Sequence, residues 1–144
     1  MRLTDHTDYS LRVLMYLNQR AKQTTLNEIS AALGISKNNL IQISRRLAHA
    51  GFIETSRGRR GGLSLPPSTG ALTLKEIILK TEESFEMADC FTEGHKDCSF
   101  LRGCLLRRRL NDALKAFLES LGATTLNEVT PGRRFLEISR PAGQ

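Results

Sequence analysis

Apolar residues recur at three- and four-residue intervals through most of this chain, and nearly every such run opens on a hydroxyl side chain or closes on glycine. Thr7 caps a predicted helix reaching about Arg20, with Leu11, Leu14, Met15 and Leu17 on its inner side. Thr25-Leu26-Asn27-Glu28 spells a capping box, in which the threonine hydroxyl and the glutamate carboxylate each take up a backbone N–H at the helix start. It opens a short helix with Ile29, Ala32 and Leu33 inward and Gly34 as its stop. Ser36 caps a third helix, roughly Lys37 to Ala50, ended by Gly51. Two short strand candidates follow, Phe52-Ile53-Glu54-Thr55 and Leu63-Ser64-Leu65, around a turn of glycine and arginine.

Pro66-Pro67 closes this first set of elements. Thr73-Leu74-Lys75-Glu76 is a second capping box, leading into Ile77, Ile78 and Leu79. Residues 82–97 are acidic and read as loop. A long amphipathic helix then spans about Leu105 to Leu121, with Leu106, Leu110, Ala113, Leu114, Phe117, Leu118 and Leu121 as a wide apolar stripe and Gly122 as its end. Thr125-Leu126-Asn127-Glu128 starts one more short helix. With Thr124 in front, it repeats the pentapeptide at 24–28 letter for letter, but the flanks differ, so the repeat is reuse of a good cap and not a duplication.

The fold class expected from this order is mainly α with a small β-wing: a winged helix-turn-helix followed by a long C-terminal dimerisation helix. The expected divisions are a DNA-binding module at 1–66, a connecting helix and cysteine loop at 67–104, the dimerisation helix and a short terminal helix at 105–130, and a flexible arginine-rich tail at 131–144. The stripe on the long helix is too wide for the few short elements around it to cover. A second copy of the chain is therefore expected against it, and two modules related by a twofold axis would read a pseudo-palindromic operator.

Charge narrows the partner. The net charge is +6; residues 1–65 hold ten Lys or Arg against four Asp or Glu, whereas residues 66–144 hold eleven of each. All the excess positive charge thus lies in the first half, as an anionic partner there would require. In the third helix Leu40, Ile43 and Leu47 face the core, leaving Ser36, Lys37, Asn38, Asn39, Gln42, Arg45, Arg46 and His49 at its start and outer side. Asparagine and glutamine suit adenine edges; arginine and lysine suit guanine edges or phosphates. The turn Ser56-Arg57-Gly58-Arg59-Arg60-Gly61-Gly62 crowds three arginines into four residues, as a wing does when it clamps phosphates or enters a minor groove. An ordinary basic hairpin is the bland alternative. Helix order, polar face and charge asymmetry agree on double-stranded DNA, with Ser36, Lys37, Asn38, Asn39, Gln42, Arg45, Arg57, Arg59 and Arg60 as candidate contacts.

The chain has three cysteines, and all fall within fifteen residues: Cys90, Cys98 and Cys104, on a polar segment that includes Gly94 and Gly103. Structural cysteines are usually deeply buried, so thiols gathered on a polar loop point to metal or cluster binding. The gaps of seven and five residues are longer than those of zinc knuckles or ferredoxin loops. A fourth ligand could come from His95, His6, Asp5, Asp8 or Glu93, and zinc held by the three cysteines and His95 stays open on these residues alone. A thiol-redox switch is a further alternative. An iron–sulfur enzyme or electron carrier is disfavoured: His6, His49 and His95 are scattered, and there is no phosphate-binding glycine loop or catalytic constellation. An odd cysteine count argues against a disulfide framework, and the absence of an apolar leader or membrane span leads to an expected cytoplasmic location.

The run Met1-Arg2-Leu3-Thr4-Asp5-His6-Thr7-Asp8-Tyr9-Ser10-Leu11-Arg12, the wing Arg57-Gly58-Arg59-Arg60-Gly61-Gly62-Leu63 and the three-cysteine loop before a long helix together resemble the bacterial iron–sulfur winged-helix repressors, up to about Pro131. The start of the chain and the loop are most similar to the nitric-oxide-sensing members, and Thr125-Leu126-Asn127-Glu128-Val129 suits them too. The resemblance implies a homodimeric repressor, with one cluster per subunit, 4Fe–4S rather than the possible 2Fe–2S. It implies Cys90, Cys98 and Cys104 as ligands and Asp8, from the other subunit, as the fourth. Arg12, one turn beyond Asp8, would orient that carboxylate. Nitric oxide is the implied signal, with iron supply or oxygen as alternatives.

Overall fold

A threonine one turn earlier than the apolar pattern indicates sets the first helix. In the computed structural model, which describes residues 2–56, 58, 61–94 and 98–132, α1 (Asp5–Arg20) is capped by Thr4, whose hydroxyl accepts the Thr7 N–H at 3.3 Å. Thr7 is fully buried instead. The inner face is Val13, Leu14, Tyr16 and Leu17, while Leu11 and Met15 are half-buried at its margin. Two adjacent apolar stripes are available on this helix, and the neighbouring elements select between them.

α2 (Leu26–Leu33) carries its capping box in full. The Thr25 N–H donates to Glu28 Oε2 at 2.8 Å, and the Glu28 N–H donates to Thr25 Oγ1 at 3.3 Å. Ile29 is its buried anchor; Leu33 is half-buried and Ala32, expected inside, is exposed. Gly34 ends it at φ +66°, a left-handed geometry that glycine adopts without strain. α3 (Lys37–His49) is capped by Ser36, and Leu40, Ile43 and Leu47 are buried as their spacing requires.

The wing is an antiparallel pair, β1 (Glu54–Ser56) and β2 (Gly62–Ser64), with Thr55 opposite Leu63. It starts two residues later than the apolar run, because Phe52 and Ile53 are used as core plugs ahead of the ladder. At Gly62 a Cβ would stand 2.7 Å from the Thr24 carbonyl oxygen. Glycine there lets the backbones of Thr24 and Leu63 pair at 2.9 and 2.8 Å, which ties the wing base to the turn between α1 and α2.

The proline pair does more than end a module: α4 (Pro67–Gly70) is a single turn with proline at its start, where a missing N–H does no harm. The second and third capping boxes open α5 (Leu74–Thr81) and α7 (Leu126–Val129), on either side of α6 (Leu105–Gly122). Those two boxes lie side by side, since Leu74 N–H donates to the Thr124 carbonyl and Leu126 N–H to the Leu72 carbonyl, both at 2.9 Å. Leu126 thereby enters the same core as Leu14, Leu40, Leu47 and Ile77. Asn18 reaches Asn127 and Thr130, and Gln19 donates to the carbonyls of Pro131 and Gly132, so the end of the described chain is pinned to α1. The arginine-rich tail from 133 onward lies outside the described residues. The architecture is mainly α with a two-stranded wing, as expected, and no helix among the described residues is long and apolar enough to cross a membrane.

The three boxes are expected to make the fold acid-sensitive. Hydrogen bonds from the backbone and hydroxyl of Thr25, Thr73 and Thr125 hold the carboxyls of Glu28, Glu76 and Glu128 below the ordinary value of 4.5. A depressed carboxyl pKa means that the unfolded chain binds more protons, so this contribution is complete above pH 4.5 and is lost as pH falls through the lower folded values. Urea midpoints measured from pH 6 down to pH 3 are expected to fall below about 4.5 for the native chain and to fall less for Glu128→Gln. Equal acid dependence in both would refute the assignment.

Candidate DNA-reading face and cysteine pocket

α3 presents Lys37, Asn38, Asn39, Gln42, Arg45, Arg46 and His49 to solvent, opposite the buried row Leu40, Ile43, Ser44 and Leu47. Ser36 is also exposed, but its hydroxyl accepts the Asn39 N–H at 3.2 Å and so is engaged in capping. Arg46 is in an ion pair with Glu83, Nη1 to Oε1 at 2.6 Å. Of the wing turn, Ser56, Gly58 and Gly61 are described; Arg57, Arg59 and Arg60 lie outside the described residues.

The three cysteines line the same pocket. Cys90 sits in a 3-10 turn (Asp89–Phe91), Cys98 follows on the loop, and Cys104 is the N-cap of α6, its Sγ accepting the Arg107 N–H at 3.3 Å. All three are free and half-buried. They line one pocket of about 530 Å³, walled otherwise largely by apolar side chains including Phe100, Leu106 and Leu110. Among the described residues no three His, Cys, Asp or Glu side chains close on a single ion-sized point; His95 lies outside those residues. The positive end of α6 faces Cys104, and Arg107 stacks over Phe91 with its guanidinium 5.5 Å from the ring centre. Three free thiols around a shared, partly apolar space under a helix N-terminus suit an anionic iron–sulfur group.

Asp8 is elsewhere, on α1 and not on the wall of its own chain's pocket. Arg12 grips it in a fork, Nη2 to Oδ2 at 2.7 Å and Nε to Oδ1 at 3.1 Å, which leaves the carboxylate in a set orientation and still part-exposed. On the wall of that pocket, Phe100, Leu105 and Leu106 are 77%, 70% and 68% exposed, and no residue of α6 is buried within one chain.

Sequence reasoning passed over the pair Glu82 and Glu83. Glu82 Oε2 accepts the Thr4 N–H at 3.0 Å and the Thr4 hydroxyl at 3.1 Å, while Glu83 takes Arg46. These partners are 78 and 37 positions away, beyond the reach of any local pattern. Burial pushes the His6 imidazole below its ordinary 6.5, helped by Arg46 and opposed by Glu83 and Glu82. Cys104 as a helix cap was equally hidden, since thiols are rare in that position.

A capped reading helix behind a two-stranded wing, joined to a cysteine pocket, defines a winged-helix, DNA-binding transcriptional regulator. Comparison with known proteins agrees with that class. The Rrf2 family of iron-dependent transcriptional regulators matches residues 3–132, and the chain belongs to that family. It is 40% identical over 134 residues to the protein aau3 of Rhizobium meliloti, covering 92% of this chain and 87% of that one. It is 36% identical over 138 residues to the HTH-type transcriptional regulator NsrR of Geobacillus kaustophilus, covering 94% of each. Among solved structures, CymR, the global cysteine regulator of B. subtilis, superposes with a TM-score of 0.66 at 26% identity, over 90% of this chain and 96% of that one. IscR of T. potens gives 0.72 at 19% identity, over 99% and 94%, a likeness of fold. Relatives of this kind are named transcriptional regulators, which are not enzymes.

Proposed function

We propose that this chain is a homodimeric repressor whose operator binding is gated by an iron–sulfur cluster, 4Fe–4S with one per subunit, that reacts with nitric oxide. The observation that carries this reading is the convergence of Cys90, Cys98 and Cys104 on one pocket at the N-terminus of the long helix. Asp8, oriented by Arg12 and partly exposed, is the proposed fourth ligand, given to the partner subunit. The cluster would supply, at its carboxylate-bound corner, an iron more weakly held than the three on thiolates and so open to nitric oxide.

The protein's own residues do the rest. The helix dipole favours negative charge at Cys104, the start of α6, while Phe100, Leu106 and Leu110 give the thiol pocket an apolar wall. A second copy would cover Leu105, Leu106 and the outer side of α6. Asp8 lies on the first helix of the DNA module, and the cysteines flank the dimer helix. A shared ligand set across subunits would therefore fix the recognition helices relative to each other, at the spacing of two half-sites. Ser36, Lys37, Asn38, Asn39, Gln42 and Arg45 are the proposed contacts on α3, with Arg57, Arg59 and Arg60 on the wing.

The test is purification without oxygen, with iron, acid-labile sulfide and zinc counted per chain. A brown protein with about four iron and four sulfide, bleached by nitric oxide with loss of operator binding, is expected. A colourless protein with one zinc per chain would replace this reading by a structural metal. Reversal by thiol reductant alone would replace it by a redox switch.

A further inference from the structure

Glu82 and Glu83 leave the end of α5 for different partners, and each partner belongs to a different part of the proposed switch. Glu82 holds Thr4, the cap of α1, the helix that carries Asp8 and Arg12. Glu83 holds Arg46, in the last turn of α3. Both glutamates begin the segment that runs on to Cys90 and the thiol pocket. The first two residues of the cysteine loop are thus fastened to the helix bearing the proposed fourth ligand and to the helix that reads DNA.

Arg46 is placed for anchoring more than for reading. On α3 the outermost row is Asn38, Gln42, Arg45 and His49, at three- and four-residue spacing opposite Leu40 and Leu47. Arg46 stands on the flank of that row, next to Ile43 in the helical order, and its guanidinium is already engaged by Glu83. The hydrogen bond from Arg46, aided by its charge, lowers the Glu83 carboxyl pKa below its ordinary value of 4.5. The two side chains are 57% and 72% exposed, so the pair contributes little to folding stability. A contact that does little for stability, yet joins a ligand-bearing loop to the reading helix, is suited to transmitting position.

We propose that Glu83 is a positioning residue for operator binding: its ion pair with Arg46 sets the seating of α3, and the state of the cysteine loop reaches the recognition helix through it. This rests on the cluster-gated reading above and assigns its route. Because Glu83 lies seven residues before Cys90, a loop drawn tight around its ligands holds Glu83 in place, and a slack loop lets Arg46 and the last turn of α3 shift.

The experiment compares the native chain with Glu83→Gln, both purified without oxygen and matched for iron content and visible spectrum. Operator affinity is measured with the cluster present and after its removal. The ratio of the two affinities is expected to fall about two- to fivefold in Glu83→Gln, with the spectrum unchanged. Hydrogen exchange at the amides of residues 45–50 is expected to quicken in the loaded variant, a readout independent of DNA. If the native ratio is large and the variant keeps it, or if exchange is unaltered, the route through Glu83 is wrong and cluster gating stands. If the variant binds tighter in both states with the ratio intact, Glu83 merely repels phosphates, and the proposal is overturned in that way. If the native ratio is itself one, cluster gating fails and takes this proposal with it.

Discussion

Cys98→Ala is expected to lower the operator affinity of anaerobically purified protein by about 10²–10⁴-fold, and to abolish what remains of its response to nitric oxide. Cys98 is the middle thiol of the pocket, half-buried between the turn that carries Cys90 and the cap of α6. Alanine removes the proposed soft ligand and is expected to leave the fold alone, because the core of Leu14, Ile29, Leu40, Leu47, Ile77 and Leu126 makes no use of the loop. The stated loss corresponds to a coupling of roughly 3–5.5 kcal/mol between cluster and operator. Electrophoretic mobility shifts with loaded native and variant protein measure it, with circular dichroism as the folding control. Unchanged affinity together with an unchanged nitric oxide response would end the gating reading.

Leu106→Glu is expected to split the proposed dimer. Leu106 is 68% exposed in the single chain and adjoins Leu105 at 70%, a pair of large apolar side chains that a stable assembly does not leave in water. A twofold axis repeats every interface residue, so one substitution buries two unpaired carboxylates. Even after relaxation the dissociation constant should rise by about 10³-fold, equivalent to ~4 kcal/mol. Sedimentation at micromolar concentration would then report one chain instead of two, and operator binding would weaken as the half-sites are engaged separately. A variant that still sediments as two chains would place the interface elsewhere.

Where the chain's chemistry is local, its sequence was legible. Ser36 and Gly51 bracket the reading helix because an N-cap needs a short acceptor and a left-handed end suits glycine; both are properties of a few neighbouring residues. The three Thr-x-x-Glu boxes open the helices they were read to open for the same reason. Legibility failed where neighbours far along the chain chose between local options. Thr4 and Thr7 both begin a plausible helix, and Thr7 lost the role of cap because it packs inside while Glu82 meets Thr4. Phe52 and Ile53 look like strand, yet the core takes them first.

The sequence by itself determined the order of helices and wing, the inner row Leu40, Ile43 and Leu47, the concentration of positive charge in the first half, and the presence of three thiols with no others in the chain. These follow from periodicity, caps and composition, which act over a turn or two. Only the tertiary structure decided that the three thiols share one pocket, that Cys104 caps the long helix, and that Glu82 and Glu83 join the cysteine loop to α1 and α3. Such contacts link residues tens of positions apart, and their partners become neighbours once burial of the apolar faces has brought the helices together.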